Sequence, residues 1–339
     1  MTMTLLTDPV SELTRRRLLT GAGALGILSV MPASAWGQEA AGEFPVTVRH
    51  AYGETTIAER PARVVSVGFN DHDFIVALGV IPVGVAEWFD DYPTGFPWVL
   101  ERYGDTPPGS VGLFYELNFE KVAALRPDLI IGVSSLDEAA YQTLSRIAPT
   151  VATPPGYTDA TPPREEIQLM IGRALGLQDR AEELNAQVEA RFAAAREAHP
   201  EFEGKTAVVA EYYPGTVRVR GSAEVWSSFL TALGFEVPAD IVGLEFREFS
   251  GEQVDVLADL DALVWNFYTP EDRPALEDNP IYPRLDVARE GRAILVGPED
   301  TISEAIGHNS ALSLPLVLEA LVPRLAAAAD GDPATVAPS

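Results

Sequence analysis

Residues 179–198 read DRAEELNAQVEARFAAAREA, and this stretch decides the fold. Its apolar residues Ala181, Leu184, Val188 and Phe192 recur at the spacing of one helix face, among Glu, Gln and Arg. The pattern predicts one amphipathic helix that extends about 30 Å, roughly the width of a small lobe. Because strand patterns occur on both sides of this helix but not within it, we expect it to join two lobes.

Short β-branched runs alternate with helical patterns before and after this helix. Residues 46–59, VTVRHAYGETTIAE, first predict a β-hairpin around a Gly-containing turn. The remaining runs predict strands at 63–69, 81–87, 128–134 and 149–154 in the first half, and at 206–213, 216–221, 261–267 and 292–297 in the second. Such alternation is typical of βαβ units. We therefore expect an α/β fold with two lobes, each with a mainly parallel sheet flanked by helices.

These patterns divide the chain into five segments. We expect an export signal at 1–35, an N-terminal α/β lobe at 44–178, the linking helix at 179–198 and a C-terminal α/β lobe at 204–329. Residues 330–339 are polar and contain Gly and Pro, which predicts a disordered tail.

The charge balance and the absence of cysteine exclude several classes of function. With 24 basic against 50 acidic residues, the net charge of −26 argues against sequence-independent binding of nucleic acid, which requires dense Lys and Arg. A chain without cysteine has no disulfide, no thiolate metal ligand and no cysteine nucleophile. It also lacks the cysteine through which a lipobox carries a lipid, so we expect no lipid anchor.

The N-terminus resembles a removable export signal. A basic cluster that contains Arg15 and Arg16 precedes a short apolar run, and an A-x-A-like site ends at Ala35. The run is shorter than the roughly 20 apolar residues of a membrane span. The sequence TRRRLL around these arginines resembles the twin-arginine motif, with an ordinary secretory signal as the alternative. We expect a protein of the periplasm or the envelope exterior, unless an uncleaved signal retains it as an anchor.

One small unit occurs twice in the chain. NFEKVAALRPDLII starts at Asn118 and SGEQVDVLADLDALV starts at Ser250. Each begins with a residue suited to capping a helix and has an acid in the first turn, where the helix dipole favours it. Glu120 and Glu252 are therefore expected at matching exposed corners of the two lobes. A glutamate at this position is also common without any partner.

An ordered set of segments resembles the periplasmic iron–siderophore-binding proteins of ABC importers. The segments include ERPARVVSVGFNDHDFIVALGVIPVGVAEW, NFEKVAALRPDLIIGVSS, VRVRGSAEVWSSFLTALGFEVP and FSGEQVDVLADLDALVW, and the resemblance spans residues 44–325. It implies a monomeric binding protein, not an enzyme, with a ferric siderophore in the cleft between the lobes and no cofactor. In that family an exposed glutamate on each lobe docks against permease arginines, which implies this role for Glu120 and Glu252.

Ligands of open α/β sheets bind beyond the carboxyl ends of the strands. The candidates at these positions are Phe69, Asn70, Trp88, Phe89, Tyr115 and Ser134 in the first lobe, and Tyr212, Tyr213, Arg218, Arg220, Trp226, Trp265 and Tyr268 in the second. Aromatic residues are more frequent here than a core requires, although any one of them could simply cover the end of a sheet.

The two arginines of TVRVRG are expected to donate hydrogen bonds to the chelate. A siderophore already wraps its iron in oxygen ligands, so the protein needs apolar surface and hydrogen-bond donors rather than direct metal ligands. Arg218 and Arg220 provide such donors, and strand alternation was expected to turn one inward and the other outward. A strongly anionic tris-catecholate would usually need more positive charge than two arginines provide. A hydroxamate or mixed carboxylate chelate is therefore favoured.

Two other classes of function remain as alternatives. A receptor for bare metal ions would need clustered histidines, whereas His50, His72, His199 and His308 are scattered along the sequence. Haem or cobalamin would suit the same architecture, with His308 or a tyrosine as axial ligand. An exported enzyme is less favoured, because no nucleophile elbow, P-loop, dinucleotide-binding motif or paired-His motif occurs.

Overall fold

The computed structural model describes residues 42–88, 95–158, 161–330, 332 and 335. The export signal with Arg15, Arg16 and Ala35 therefore lies outside the described residues, as do Phe89 and most of the expected tail. Among the described residues, none of the helices combines the length and the apolarity that crossing a membrane requires.

A hairpin and a six-stranded sheet form the first lobe. The strands are β1 (Val46–His50), β2 (Gly53–Ile57), β3 (Val64–Ser66), β4 (Gly84–Glu87), β5 (Gly109–Leu113), β6 (Glu116–Leu117), β7 (Leu129–Gly132) and β8 (Thr150–Ala152). β1 pairs with β2, and the larger sheet has the order β6-β5-β4-β3-β7-β8, parallel except for β6. The helices are α1 (Asp71–Ala77), α2 (Pro97–Tyr103), α3 (Phe119–Ala124), α4 (Glu138–Leu144) and α5 (Arg164–Leu175).

The second lobe follows helix α6 (Gln178–Ala198) and contains a five-stranded sheet. Its strands are β9 (Ala207–Tyr213), β10 (Thr216–Arg220), β11 (Phe246–Ser250), β12 (Ala262–Asn266) and β13 (Ala293–Val296), and its helices are α7 (Val225–Ala232), α8 (Asp272–Glu277), α9 (Asp286–Arg289), α10 (Ile302–His308) and α11 (Leu314–Ala328). Three 3-10 helices cover Pro200–Phe202, Gly251–Leu257 and Tyr282–Arg284. The order is β11-β10-β9-β12-β13, in which β9, β12 and β13 are parallel. A tight turn after Tyr213 makes β10 antiparallel to β9, so this sheet is parallel only on one side.

Helix α6 contributes to the cores of both lobes. Its buried residues are the predicted stripe, Ala181, Leu184, Val188 and Phe192. The first two pack with the core under the first sheet, and the last two pack with the core of the second lobe. The observed helix starts at Gln178, one residue before the predicted linker 179–198, and ends at Ala198 as predicted. Side chains of α1 and α2 also enter the second core, so the apolar packing is continuous between the lobes.

The two copies of the repeated unit differ in helix type. Asn118 caps α3, because its Oδ1 accepts a hydrogen bond from Lys121 N–H (3.0 Å). Ser250 forms a capping box with Gln253, but the turn that follows is a 3-10 helix. Both acids of the unit, Glu120 and Glu252, are exposed.

The only two lysines of the chain have different surroundings. Lys121 is exposed on α3, whereas the ammonium of the half-buried Lys205 donates a hydrogen bond to Ala329 O after α11. The second contact attaches the end of the last helix to the start of β9.

A buried histidine joins the β1–β2 hairpin to β8. His50 Nδ1 accepts a hydrogen bond from Tyr52 N–H (3.3 Å), so Nε2 carries the proton and donates to Thr55 Oγ1 (3.0 Å). Thr55 Oγ1 then donates to Thr150 O on β8 (2.7 Å). Burial lowers the pKa of His50. A second proton would sit on Nδ1, where it would replace the lone pair that accepts the Tyr52 N–H. The His50 ring is therefore neutral in the folded protein.

We expect the free energy of unfolding to fall as the pH drops below about 6.5, because the unfolded chain then protonates His50 and the folded chain does not. His50→Gln removes this part of the pH dependence. His199→Gln, which changes a half-exposed histidine, retains it. Urea unfolding of the three proteins at pH about 7.5 and about 5.5 tests the assignment. The same loss of stability in wild type and His50→Gln would contradict it.

Candidate functional site

A cavity of about 280 Å³ is lined by residues of both lobes. Six of the residues expected at the cleft line it: Phe69, Asn70, Trp88, Arg220, Trp226 and Tyr268. Four of them follow the carboxyl ends of parallel strands: Phe69 and Asn70 follow β3, Trp88 follows β4 and Tyr268 follows β12. This is the edge of an open α/β sheet where ligands usually bind.

Several polar residues of the cavity wall were not predicted from the sequence, namely Arg164, Glu224, Ser303, Glu304 and Asn309. Arg164 is buried at the start of α5, where its guanidinium donates to Asn185 Oδ1 (3.1 Å) and Glu189 Oε1 (2.9 Å) on α6. Burial raises the pKa of Glu304. The cavity therefore combines aromatic surface with charged groups of both signs.

Two serines that follow β7 form hydrogen bonds with the backbone of the loop that carries Phe69 and Asn70. Ser135 Oγ accepts a hydrogen bond from Phe69 N–H (3.2 Å), and Ser134 Oγ accepts one from Asn70 N–H (3.3 Å). Ser134 is buried and lines a neighbouring depression instead of the cavity. Its position suits support of the loop rather than contact with a ligand.

A buried carboxylate strengthens the same junction. Asp71, at the start of α1, accepts hydrogen bonds from Val133 N–H (2.6 Å) and Ser134 N–H (2.8 Å). Burial raises the pKa of Asp71 to about 6, while these hydrogen bonds act in the opposite direction. Gly68 permits the close approach, because a Cβ there would lie 2.2 Å from Asp71 Oδ2.

Aromatic rings form a continuous surface on the first lobe. Phe69 meets Trp88 and Phe114 edge to face, with ring centroids 4.6 and 5.3 Å apart. Tyr115 packs against Phe114 at 5.1 Å and is 67% exposed. Tyr115 thus extends the aromatic surface outside the cavity.

Two polar side chains at the start of α1, Asn70 just before it and Asp73 within it, join the lobes next to the cavity. Asn70 Nδ2 donates to His308 O (2.8 Å) at the end of α10. Asp73 Oδ2 accepts hydrogen bonds from Trp98 Nε1 and from Ser310 Oγ, both at 2.7 Å. Asn70, Asp73 and Ser310 are all buried. The first-lobe side of the cavity is therefore fixed directly to the second lobe.

Arg218 and Arg220 lie on the same face of β10, contrary to the expectation of one inward and one outward. Residues two apart in a strand share a face, and here both guanidinium groups form ion pairs with the buried Glu211. Arg220 lines the cavity, whereas Arg218 and Tyr213 lie on this face outside it, with Arg218 5.3 Å from the Tyr213 ring centre.

The charges of the two arginines are already balanced. Arg218 also pairs with Glu248 (2.9 Å) and Arg220 with Glu224 (3.1 Å), so three carboxylates face two guanidinium groups. Arg220 further donates to Tyr268 OH. This wall of the cleft therefore offers directed donors without an excess of positive charge.

Tyr213 completes this network. Its hydroxyl donates to Glu211 Oε2 (3.0 Å), and burial together with the Glu211 charge raises the pKa of Tyr213 to about 12. The phenol therefore keeps its proton and stays a donor to Glu211.

Two predicted cleft residues, Tyr212 and Trp265, lie in the core instead. Tyr212 points to the opposite face of β9 from Glu211, and its hydroxyl accepts a hydrogen bond from Asn279 Nδ2 (3.1 Å). Trp265 is completely buried on β12 and packs edge to face against Tyr282 at 5.7 Å. Proximity to a strand end did not determine which face these side chains occupy.

The four histidines are scattered along the sequence, but the structure brings His72 and His308 together, with ring centroids 5.5 Å apart. His308 is completely buried among aromatic rings, including Trp88 (5.1 Å) and Phe96 (4.7 Å), and does not line the cavity. An axial haem ligand would have to reach the bound group, so this position disfavours that role for His308.

A family model described as "Periplasmic binding protein" matches residues 82–299. The Bacillus subtilis "Probable siderophore-binding lipoprotein YfiY" is 30% identical over 233 residues, which are 66% of this chain and 68% of that protein. The "Ferric-anguibactin-binding protein FatB" of Vibrio anguillarum is 37% identical over 110 residues, 32% of each chain. A crystal structure of a periplasmic solute-binding protein from Mycobacterium smegmatis has a TM-score of 0.74 at 34% identity, covering 83% of this chain and 97% of the other. The predicted two-lobed α/β fold is thereby confirmed.

Replacement of the buried carboxylate that serves both arginines should destabilise the second lobe. We expect Glu211→Gln to lower the free energy of unfolding by on the order of 3 kcal/mol, because both guanidinium groups and the Tyr213 hydroxyl lose the buried carboxylate that they share. Glu248→Gln removes the exposed partner of Arg218 and should cost at most about 1 kcal/mol. Denaturant unfolding of both variants provides the measurement. An equal loss of unfolding free energy in the two variants would show that the buried Glu211 ion pairs stabilise the protein no more than the exposed Glu248 pair does.

Proposed function

The chain belongs to the periplasmic binding protein family, and on this premise we propose that it captures a ferric siderophore between its lobes and delivers it to the two-fold permease of an ABC importer. The observation that carries the proposal is the cavity, in which aromatic surface from both lobes surrounds the donors of Arg220 and Tyr268. Aromatic faces suit the apolar linkers of a siderophore, and the donors suit the oxygen atoms around its iron.

The relatives support a ferric chelate as the ligand class. FatB is named for ferric anguibactin and YfiY for a siderophore. Both names describe binding proteins, and we accordingly propose a binding protein rather than an enzyme, in which the ferric chelate is a ligand and no cofactor takes part. At about 280 Å³ the cavity is slightly smaller than the usual ligand-pocket volumes of about 300–1,000 Å³, so a whole chelate would also occupy the cleft opening.

The charge balance suggests the type of chelate. Three carboxylates accompany Arg218 and Arg220, so a neutral or weakly anionic chelate fits this wall better than a strongly anionic one. We therefore favour a hydroxamate or mixed carboxylate siderophore over a tris-catecholate. The proposed direct contacts are Phe69, Asn70, Trp88, Arg220, Trp226 and Tyr268, with Tyr115, Tyr213 and Arg218 at the opening.

The proposed route to the site of action begins with twin-arginine export through Arg15 and Arg16. We propose that the monomeric protein acts in the periplasm or at the envelope exterior. Its relative YfiY is named as a lipoprotein, whereas this chain contains no cysteine to carry a lipid. Export without a lipid anchor is accordingly part of the proposal.

Ligand binding should quench tryptophan fluorescence, because Trp88 and Trp226 line the cavity. We expect saturable quenching of the mature protein by an iron-loaded hydroxamate or citrate chelate, and at least about tenfold weaker binding in Tyr268→Ala, which loses an aromatic contact. Leu316→Ala is the matched control, since Leu316 and Tyr268 are both 45% exposed.

Haem, cobalamin and iron-free chelators complete the titration. Quenching by haem or cobalamin alone would retain the receptor and change its ligand. No quenching by any compound would refute capture in this cavity.

Docking is proposed to involve the exposed Glu120 and Glu252, one on each lobe. In Glu120→Ala/Glu252→Ala, we expect unchanged chelate affinity and loss of chelate uptake by cells, because a two-point charged contact orients the partner more than it affects the ligand. The control pair Glu182→Ala/Glu197→Ala changes two exposed acids of α6. Normal uptake by the first double variant would refute the docking role.

A further inference from the structure

A buried cluster next to the cavity has the composition of a metal site. His72 and Asp73 at the start of α1 meet His308 at the end of α10, and all three residues are at most 2% exposed. One ligand atom from each, a ring nitrogen or a carboxylate oxygen, lies within 4.8 Å of the other two. The cluster joins the two lobes and does not line the cavity.

Several atoms of the cluster lack hydrogen-bond partners among the described residues. They are both ring nitrogens of His72, Oδ1 of Asp73 and Nε2 of His308. His72 Nε2 lies 3.5 Å from Asp73 Oδ1, which is too long for a good hydrogen bond. Buried polar groups without partners are rare, since each one destabilises the folded protein. So many at one point indicate that something binds there.

The remaining polar atoms of the same side chains are already oriented. His308 Nδ1 lies 2.9 Å from Glu304 O, and a carbonyl can only accept, so Nδ1 carries the proton and Nε2 keeps its lone pair. Asp73 Oδ2 is held by Trp98 and Ser310. Outer hydrogen bonds of this kind orient the imidazole and carboxylate ligands of metal ions in proteins.

We propose that His72, Asp73 and His308 bind one divalent transition-metal ion of the Zn²⁺ type as a structural link between the lobes. Two imidazoles and one carboxylate suit Zn²⁺, whose bonds to such ligands are about 2.0–2.2 Å long. The ligand atoms would draw closer on binding than they are here.

The hydroxyl of Tyr103 is a candidate for a fourth ligand. It is buried without a hydrogen-bond partner among the described residues. A Cβ built on Gly95 would lie 3.7 Å from this hydroxyl and 3.6 Å from His72 Nε2, so the two atoms adjoin the same space. The ion would offset the buried negative charge of Asp73 and would be separate from iron carried in the cleft.

Cobalt titration tests the site directly. The full mature chain, treated with a chelator and dialysed, is titrated with Co²⁺ alone and followed by its visible d–d absorption. We expect one equivalent to bind in a low-symmetry, near-tetrahedral environment, to be displaced by Zn²⁺, and to bind at least about tenfold more weakly in His72→Gln and His308→Gln. His199→Gln, which changes a histidine outside the cluster, should bind as wild type does.

X-ray absorption of the zinc-loaded wild-type protein covers the case in which a variant does not fold. A first coordination sphere with two imidazoles supports the site. An all-oxygen sphere, no stoichiometric Co²⁺ binding, or unchanged binding in both cluster variants would overturn it and leave a metal-free His–Asp cluster. These readouts need no siderophore, so they stand whether or not the cleft binds a ferric chelate.

Discussion

The hydrogen bonds between α1 and the segment around α10 are the constraint on which the cleft depends. Asp73 and Ser310 are 237 residues apart in sequence, yet their side chains are in direct contact and buried. Asn70 combines two tasks, because it lines the cavity and donates to His308 O. Wide separation of the lobes would break these hydrogen bonds and expose the apolar packing around α6 to water. Small adjustments of loops and side chains are therefore the expected response to a ligand.

The second wall of the cleft shows how a strongly acidic chain can present arginines to a ligand. Glu211 is buried beneath Arg218 and Arg220 and holds both guanidinium groups on one face of β10. Prior pairing lowers the entropy lost when a ligand binds, since the side chains are already ordered. It also limits nonspecific attraction of anions, because the local positive charge is cancelled. In the proposed complex, selectivity would then depend on geometry more than on long-range charge.

Local periodicity explains what could be predicted from the sequence. The apolar pattern of α6 and that of the β1–β2 hairpin each repeat within a few residues, so both elements were predicted correctly. β11 was missed because Phe246–Ser250 is an edge strand with mostly exposed side chains and no apolar alternation. Tyr212 and Trp265 were misplaced because a strand end does not specify a face. The contacts of Asp73 and His308 come from distant parts of the chain, where no local signal connects them.

The distribution of lysine has a practical consequence for chemical labelling. Lys205 is occupied by its hydrogen bond to Ala329 O, whereas Lys121 is exposed directly beside Glu120. Apart from the terminal amine, an amine-reactive dye has one readily accessible side chain in the natural sequence, and it lies on the face proposed to meet the permease. A fluorophore placed there could report complex formation through anisotropy or energy transfer without an engineered cysteine.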